Sequence, residues 1–400
     1  MRRPLFLFAY VSLALGTGVA CATSDDGASD PAPLDGGGPS RLDAGPFIDD
    51  AANAPSDASS DAHPEAPTCS PAGWCLTELP QDELRLVDIW PFPDRAFAIG
   101  DSEAIGSKVL EWSEATKKWS YVDDGEQSAG YSAMASIWAP NEDEVYYSKL
   151  GADFAIGLIF GVVRHRKRPV PPATEWTWET LPPVTCDSFH FPVVRGVSPD
   201  DVYLLFCNSV HRLERAAAGD AGADGGGASW ALEYTVEGDT MGVMLGDIAG
   251  KGPDDLWIVG GRSFGGYGGC GFVVRKDGSG YEVVADGELD MFTGECIPKD
   301  GLETIFGSFQ YGNLVTAGDE LAGVTYFSDR VSNVTKITPR ADGTITQATS
   351  RPTLGTDILL SSTWGASLDD LWFVTGRPTG GANTVVHGTD VFSDAGVYQY

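Results

Sequence analysis

A short phrase returns six times after residue 85, and it constrains the fold more than any other feature of the chain. Its clearest copies are Gly246-Asp-Ile-Ala-Gly-Lys-Gly-Pro-Asp-Asp-Leu-Trp-Ile-Val-Gly260 and Ser362-Thr-Trp-Gly-Ala-Ser-Leu-Asp-Asp-Leu-Trp-Phe-Val-Thr-Gly376. Each reads as the end of a strand, an acidic turn, and a second strand that alternates aromatic and aliphatic residues before a Gly. Pro presets φ for the first turn position, and Asp accepts hydrogen bonds from amides two residues on. The copies centre on Ile89-Trp90, Ile137-Trp138, Gly196-Val197, Ile248-Ala249, Ile305-Phe306 and Thr363-Trp364. The strands that follow them are expected at 96–100, 144–148, 201–206, 255–260, 313–318 and 370–376.

Two further strands follow most copies, at 108–112 and 119–122, at 210–215 and 230–235, and at 271–276 and 281–285. Repeats of roughly 50 to 60 residues with four short strands apiece predict an all-β chain folded as a β-propeller. Six blades are expected, with seven as the alternative count. No long amphipathic helical pattern occurs to support an α/β fold. Trp176-Thr-Trp-Glu-Thr-Leu-Pro182 reads as the outer strand of the second blade. Trp74-Cys-Leu-Thr-Glu-Leu-Pro80 is a similar phrase with no blade before it, so residues 74–80 are expected to supply the outer strand of the last blade. Residues 397–400 are the competing choice for that position. Closure matters because an open ring leaves exposed strand edges.

The phrase Trp364-Gly-Ala-Ser-Leu-Asp-Asp-Leu-Trp372 resembles the W-G-x-S-x-x-D-V-W repeat of exported bacterial propeller lipoproteins. The resemblance covers residues 74–400 as architecture and implies no particular activity. Copy two lacks Gly after Trp138, and copy five has Tyr311-Gly-Asn where an acidic pair should stand.

The N-terminal segment fits an exported chain. Arg2 and Arg3 precede an apolar run over 5–15, too short to span a bilayer with ease. Small residues then lead to Ala20 and Cys21, which resemble a lipobox, although Gly18 stands where that pattern favours Leu. Residues 1–20 are thus expected to be a lipoprotein signal peptide, with Cys21 lipidated. Ala22 follows Cys21 where an inner-membrane retention Asp would stand, so the outer membrane is the expected address. Residues 21–66 are Ala, Asp, Gly, Pro and Ser with almost no bulky apolar side chain, a composition that favours a disordered stalk. The propeller domain is expected over 67–400.

Net charge is −31, and the stalk accounts for only part of it. So acidic a chain repels nucleic acid and anionic headgroups, which excludes a DNA or RNA partner. The membrane is engaged through the lipid, a protein or glycan is the expected ligand, and a monomer is the expected state. Besides Cys21 there are six cysteines, an even number in an exported chain. Sequence leaves their pairing open; the set that keeps each bond local is Cys69–Cys75, Cys186–Cys207 and Cys270–Cys296.

No catalytic constellation emerges. Cys186, His190, Cys207 and His211 invite zinc, yet residues four apart on a strand lie about 13 Å apart, so no metal site is expected. The paired acids Asp200/Asp201, Asp254/Asp255 and Asp369/Asp370 recur, which fits a turn needed in every blade better than catalysis needed once. No sialidase repeat and no G-x-S-x-G elbow occur, and nothing in the sequence shows that Arg195, Arg262 and Arg275 converge. The Gly-rich stretch 264–271 joins two strands instead of opening a helix, so it is read as a loop and not a phosphate cradle, and no cofactor is expected. A noncatalytic scaffold binding a protein or glycan is therefore the leading expectation, with a glycan-active hydrolase or lyase as the alternative. Candidate binding loops are the basic stretch of Arg164, Arg166, Lys167 and Arg168, the Gly-rich loop with Tyr267, and the connections near Cys296.

Overall fold

The computed structural model describes residues 79–399 except 82–83, 103, 123–131, 174–175, 216–226, 239–241, 265–266, 291, 310–313, 329–330, 341–342, 351–358, 369, 377–383, 390 and 393–396. The expected signal peptide, the stalk, Cys21, Cys69 and Cys75 lie outside the described residues. What is described is all β, in a propeller arrangement of antiparallel sheets whose strands pair in chain order.

The first sheet is Arg85–Pro91, Arg95–Asp101, Lys108–Ser113 and Lys118–Tyr121. The second is Ser132–Asn141, Glu144–Asp153, Leu158–Lys167 and Thr177–Thr180, with Val184–Cys186 also paired to its third strand. The third is Val193–Ser198, Asp201–Phe206, Ser209–Glu214 and Ser229–Thr235. The fourth is Val243–Gly252, Asp255–Phe264, Tyr267–Asp277 and Gly280–Ala285. In the fifth, two short strands, Ser308–Phe309 and Val315–Ala317, share the inner edge of Glu320–Ser328, followed by Val331–Pro339 and Ile345–Ser350. The sixth is Leu359–Ser367, Asp370–Gly376, Thr384–Thr389 and Val397–Gln399. Five of these sheets are uninterrupted four-strand units, and the fifth has a broken inner edge.

The repeated aromatic strand is explained by where it sits. In Asp255–Phe264, Leu256 and Ile258 pack with Tyr203, Leu205 and Val210 of the third sheet. Trp257 and Val259 face the other way, onto Phe309, Leu321 and Ile337 of the fifth. A strand sandwiched between two neighbouring sheets must be apolar on both faces, hence the near-continuous hydrophobic run. Each such side chain contributes about 1.5–3 kcal/mol by leaving water. The core is thus a series of layers between sheets, not one central cluster.

The acidic turns behave as turns. Ser198 Oγ donates to Asp201 Oδ2 at 2.7 Å and accepts the Asp201 N–H at 3.1 Å, closing the hairpin of the third sheet. Asp201 also pairs with Arg212 one strand further out.

Two expectations need correction. In the fifth repeat, Ile305–Phe306 pairs with Tyr267–Asp277 of the fourth sheet. Residues 313–318 are not its second strand: Val315–Ala317 lies on the inner edge, and the second strand is Glu320–Ser328. The acidic turn is therefore Gly318-Asp319-Glu320, with Gly318 at a left-handed φ of 64°. The outer strand of the sixth sheet is Val397–Gln399, not residues 74–80. Residues 74–78 lie outside the described residues, and Leu79 packs on Leu84, Ala98 and Leu110 of the first sheet.

Candidate functional site

At the centre of the ring, one polar residue from each of several inner strands meets the others. Four inner strands carry a register shift at equivalent places, immediately before Asp88, Ser136, Asp247 and Ser362. A bulge re-aims the following side chain: Asp88, Asp247 and Ser362 join one network, while Ser136 bonds Ser148 and the Val194 N–H. Arg195 of the third sheet bridges the two aspartates, with Nη2 3.2 Å from Asp88 and Nε 3.2 Å from Asp247. Its Nη1 donates to the Ile137 carbonyl at 2.7 Å. Asp88 also accepts the Ile137 N–H and the Ser362 hydroxyl, joining the first, second, third and sixth sheets. Asp247 accepts the N–H groups of Ile248 and Leu314, adding the fifth.

This network is sealed: the side chains of Arg195, Asp88 and Asp247 are 6%, 6% and 2% exposed. Burial pushes the Asp247 carboxyl up to about 6, against the pull of Arg195. Both carboxylates are held by an arginine and backbone amides, an arrangement that clamps sheets together and presents no oxygen to a substrate.

The outer surface divides into two ends. In a four-strand meander, the first and third turns emerge at one end, where the acidic turns lie. The second turns and the links between sheets emerge at the other, and here the copies differ most. Five of the nine exposed large apolar side chains among the described residues lie in these connections: Phe154, Ile156, Phe189, Phe292 and Ile297. Phe154 and Phe189 stack with centroids 6.2 Å apart, one from a turn of the second sheet and one from its link to the third. The Cys186–Cys207 disulfide ties that link to the third sheet, and Cys270–Cys296 ties the fourth to its following link.

A cleft of about 210 Å³ opens at the same end, between the third and fourth sheets. Phe272, Val274 and Val283 form its apolar floor and Tyr234 its wall. Tyr281 stacks on Tyr234 with centroids 4.4 Å apart. Arg262 grips Asp286 with two parallel bonds, Nε–Oδ1 at 2.6 Å and Nη2–Oδ2 at 2.7 Å, a geometry that fixes both planes. Its remaining Nη1 donates to the Glu237 carbonyl at 2.7 Å. Lys299 stands more loosely, 3.4 Å from Glu237 and 3.9 Å from Asp286. Gly238 adopts φ 133°, and a Cβ there would come within 2.7 Å of Val243 Cγ2 and 2.8 Å of Arg262 Nη1, so the position favours glycine.

The link from the fourth to the fifth sheet supplies Asp286 and Lys299. It carries a hairpin of its own, Gly287–Leu289 with Cys296–Pro298. The expectation that function sits near Cys296 points to this element. Spacing gave no hint of Glu237, Arg262, Asp286 and Lys299 together, because they are spread over two inter-sheet links and one strand end.

The other candidate residues fall elsewhere. The basic stretch is a strand, not a solvated loop: Arg164, Arg166 and Lys167 belong to Leu158–Lys167, and Arg168 follows. Arg166 lies over both Trp176 and Trp178, at 4.4 and 4.5 Å from their centroids. Arg164 covers Trp178 and Arg168 covers Trp176. Arg168 also binds Asp143 and Glu111, and Lys167 pairs with Glu144. Between them His165 is buried against Tyr146, flanked by Glu144 and Glu179, and desolvation holds its pKa below the usual value. Arg164, Arg166 and Lys167 thus pair within the second sheet and its turns, and Arg168 reaches the first sheet through Glu111.

The Gly-rich stretch is likewise ladder for most of its length, with Ser263 opposite Gly269 and Phe264 opposite Tyr267. Gly271 packs so closely that a Cβ would meet the Gly307 carbonyl at 2.8 Å. Arg195, Arg262 and Arg275 do not converge: the first is central, the second lines the cleft and the third lies over Trp257.

No protein-family model matches the chain, and no curated protein sequence matches it. Among solved structures the chain is similar to a fucose-specific lectin from Aleuria aurantia, at 10% identity and a TM-score of 0.46, over 81% of this chain and 96% of the lectin. It is also similar to AofleA from Arthrobotrys oligospora, at 9% identity and a TM-score of 0.45, over 80% and 86% of the two chains. An exo-1,5-alpha-L-arabinanase from a bovine ruminal metagenomic library matches at 11% identity and a TM-score of 0.34, over 68% and 99%. Likenesses of this size carry no inference about ligand or reaction; the propeller arrangement rests on the strand pairing itself.

Proposed function

We propose that this chain is a noncatalytic recognition module: a six-bladed propeller, the interrupted fifth sheet included, that binds a protein or glycan through the end bearing its inter-sheet links. The observation that carries this reading is the uneven surface. Exposed apolar side chains cluster in the connections that the repeats do not share, while the shared acidic turns occupy the other end. Apolar groups held in water on disulfide-braced links favour a contact surface. The central acids, where a propeller enzyme could place catalysis, are buried and held by Arg195.

We further propose export and lipid attachment at Cys21, with the acidic stalk as spacer and the outer membrane as address. The two disulfides fit an oxidising compartment. Cys21→Ser should release the protein into the soluble fraction, and continued membrane association would count against the anchor.

Ligand binding is tested by glycan array and by pull-down with purified envelope proteins, comparing the native chain with Phe154→Ser/Phe189→Ser. Both side chains are exposed, so the fold should survive while binding at this surface falls. Full binding by the double variant would move the site off the aromatic patch, and no binding by the native chain would remove the reading.

A further inference from the structure

We infer that the cleft between the third and fourth sheets is a subsite for one neutral, hydroxyl-bearing ring, such as a single sugar residue of a glycan. This rests on the recognition reading above and narrows it to a ligand class. The cleft combines two surfaces that such a ring needs. Tyr234 and Val283, both partly exposed in the cleft, offer aromatic and apolar area for the C–H face of a ring. Around them, Lys299 and the exposed Glu237 carboxylate supply a donor and acceptors for hydroxyl groups, while the Arg262–Asp286 pair, 13% and 5% exposed, is largely buried beside them.

Charge decides the class. Arg262 and Lys299 are offset by Asp286 and Glu237, and Asp300 adds one further acid to the lining. No net positive charge is left for an anion. A cation would have to compete with Arg262, which already holds both oxygens of Asp286. A neutral polyol needs neither concession: the Glu237 carboxylate is exposed, and Lys299 makes only long contacts of 3.4 and 3.9 Å. The volume of about 210 Å³ suits one ring, not an extended chain.

The site is also preorganised. Asn208 donates to the carbonyls of Val236 and Gly238, which fixes the loop bearing Glu237. The Lys299 N–H bonds to the Asp286 carbonyl at 3.2 Å, and Cys270–Cys296 pins the same link. A pocket held this way loses little freedom on binding.

The test is ligand-observed NMR titration of the full chain with neutral methyl hexosides, glucuronic acid and glucosamine. Tyr234→Leu and Lys299→Ala are compared with the native protein, and thermal melts of each confirm folding. Expected is saturable binding of at least one neutral hexoside, weaker binding of both charged sugars, and a loss of about tenfold or more in each variant. Gly238→Ala should also weaken binding by displacing Arg262, without removing any contacting side chain. The inference is overturned if no neutral sugar binds, if glucuronic acid binds best, or if folded Tyr234→Leu and Lys299→Ala retain full affinity. The wider reading fails separately: a ligand that still binds Tyr234→Leu but not Phe154→Ser/Phe189→Ser would sink the sugar subsite and leave the recognition surface standing.

Discussion

Arg195 and Arg262 are both paired with aspartates, and their surroundings differ in one decisive respect. Arg195 lies between Asp88 and Asp247 on the ring axis, sealed from water and hydrogen-bonded to carbonyls of two sheets. Arg262 holds Asp286 just as closely, and Asp286 is as buried as Asp88, but the pair lines a cleft beside Tyr234. The same chemistry therefore serves two purposes. The enclosed pair joins sheet to sheet, and the other borders the cavity proposed above as a subsite. Repeat position separates them too: the axis residues Asp88, Asp247 and Ser362 follow equivalent bulges in their sheets, whereas the cleft draws on two inter-sheet links and one strand end.

The largest test of this contrast is Arg195→Met. Removing the cation leaves two buried carboxylates unpaired, and the loss should be about 3–5 kcal/mol in urea unfolding. A loss under about 1 kcal/mol would mean that the axis network is not a clamp. Arg262→Gln should destabilise less, by about 2 kcal/mol, because water can reach Asp286 once the fork is gone. Its larger effect should fall on ligand binding, and equal losses of stability in the two variants would erase the distinction.

The smallest expected effect is on pH dependence. Burial holds His165, His190 and His211 below the ordinary histidine pKa, so they stay neutral in the fold while the unfolded chain takes up protons near 6.5. Stability should therefore fall as pH drops through 6.5. Asp247 works the other way. Its folded value of about 6 exceeds its unfolded value, so it adds stability as pH falls from about 6 towards 4. Melting temperature should decline between pH 7 and 6 and then flatten as Asp247 takes its proton. His190→Gln should shallow the early decline without touching either ion pair; an unchanged slope would remove His190 from this balance.

The contrast also explains what could be read from the chain. The repeat announced the strands because a strand buried on both faces must be apolar throughout, and an acidic Pro-Asp turn is locally encoded. Copy five was misplaced because its turn is Gly318-Asp319-Glu320, without the Pro or the Trp that mark the other copies. The basic stretch was legible in principle. Arg164, Arg166 and Arg168 alternate in step with Trp176 and Trp178, a period-two match that predicts stacking across adjacent strands. The cleft was not legible in this way. Glu237, Arg262, Asp286 and Lys299 meet only through the packing of two sheets and a long link, and the length of that link was its single trace.

The central claim is recognition without catalysis, and it is tested most directly by turnover. The native chain is incubated with the glycans that it retains on an array, and reducing ends and unsaturated products are counted over time. The account predicts saturable binding with no increase in either product. A steady increase that disappears in Arg262→Gln or Tyr234→Leu would contradict it and make the cleft an active site.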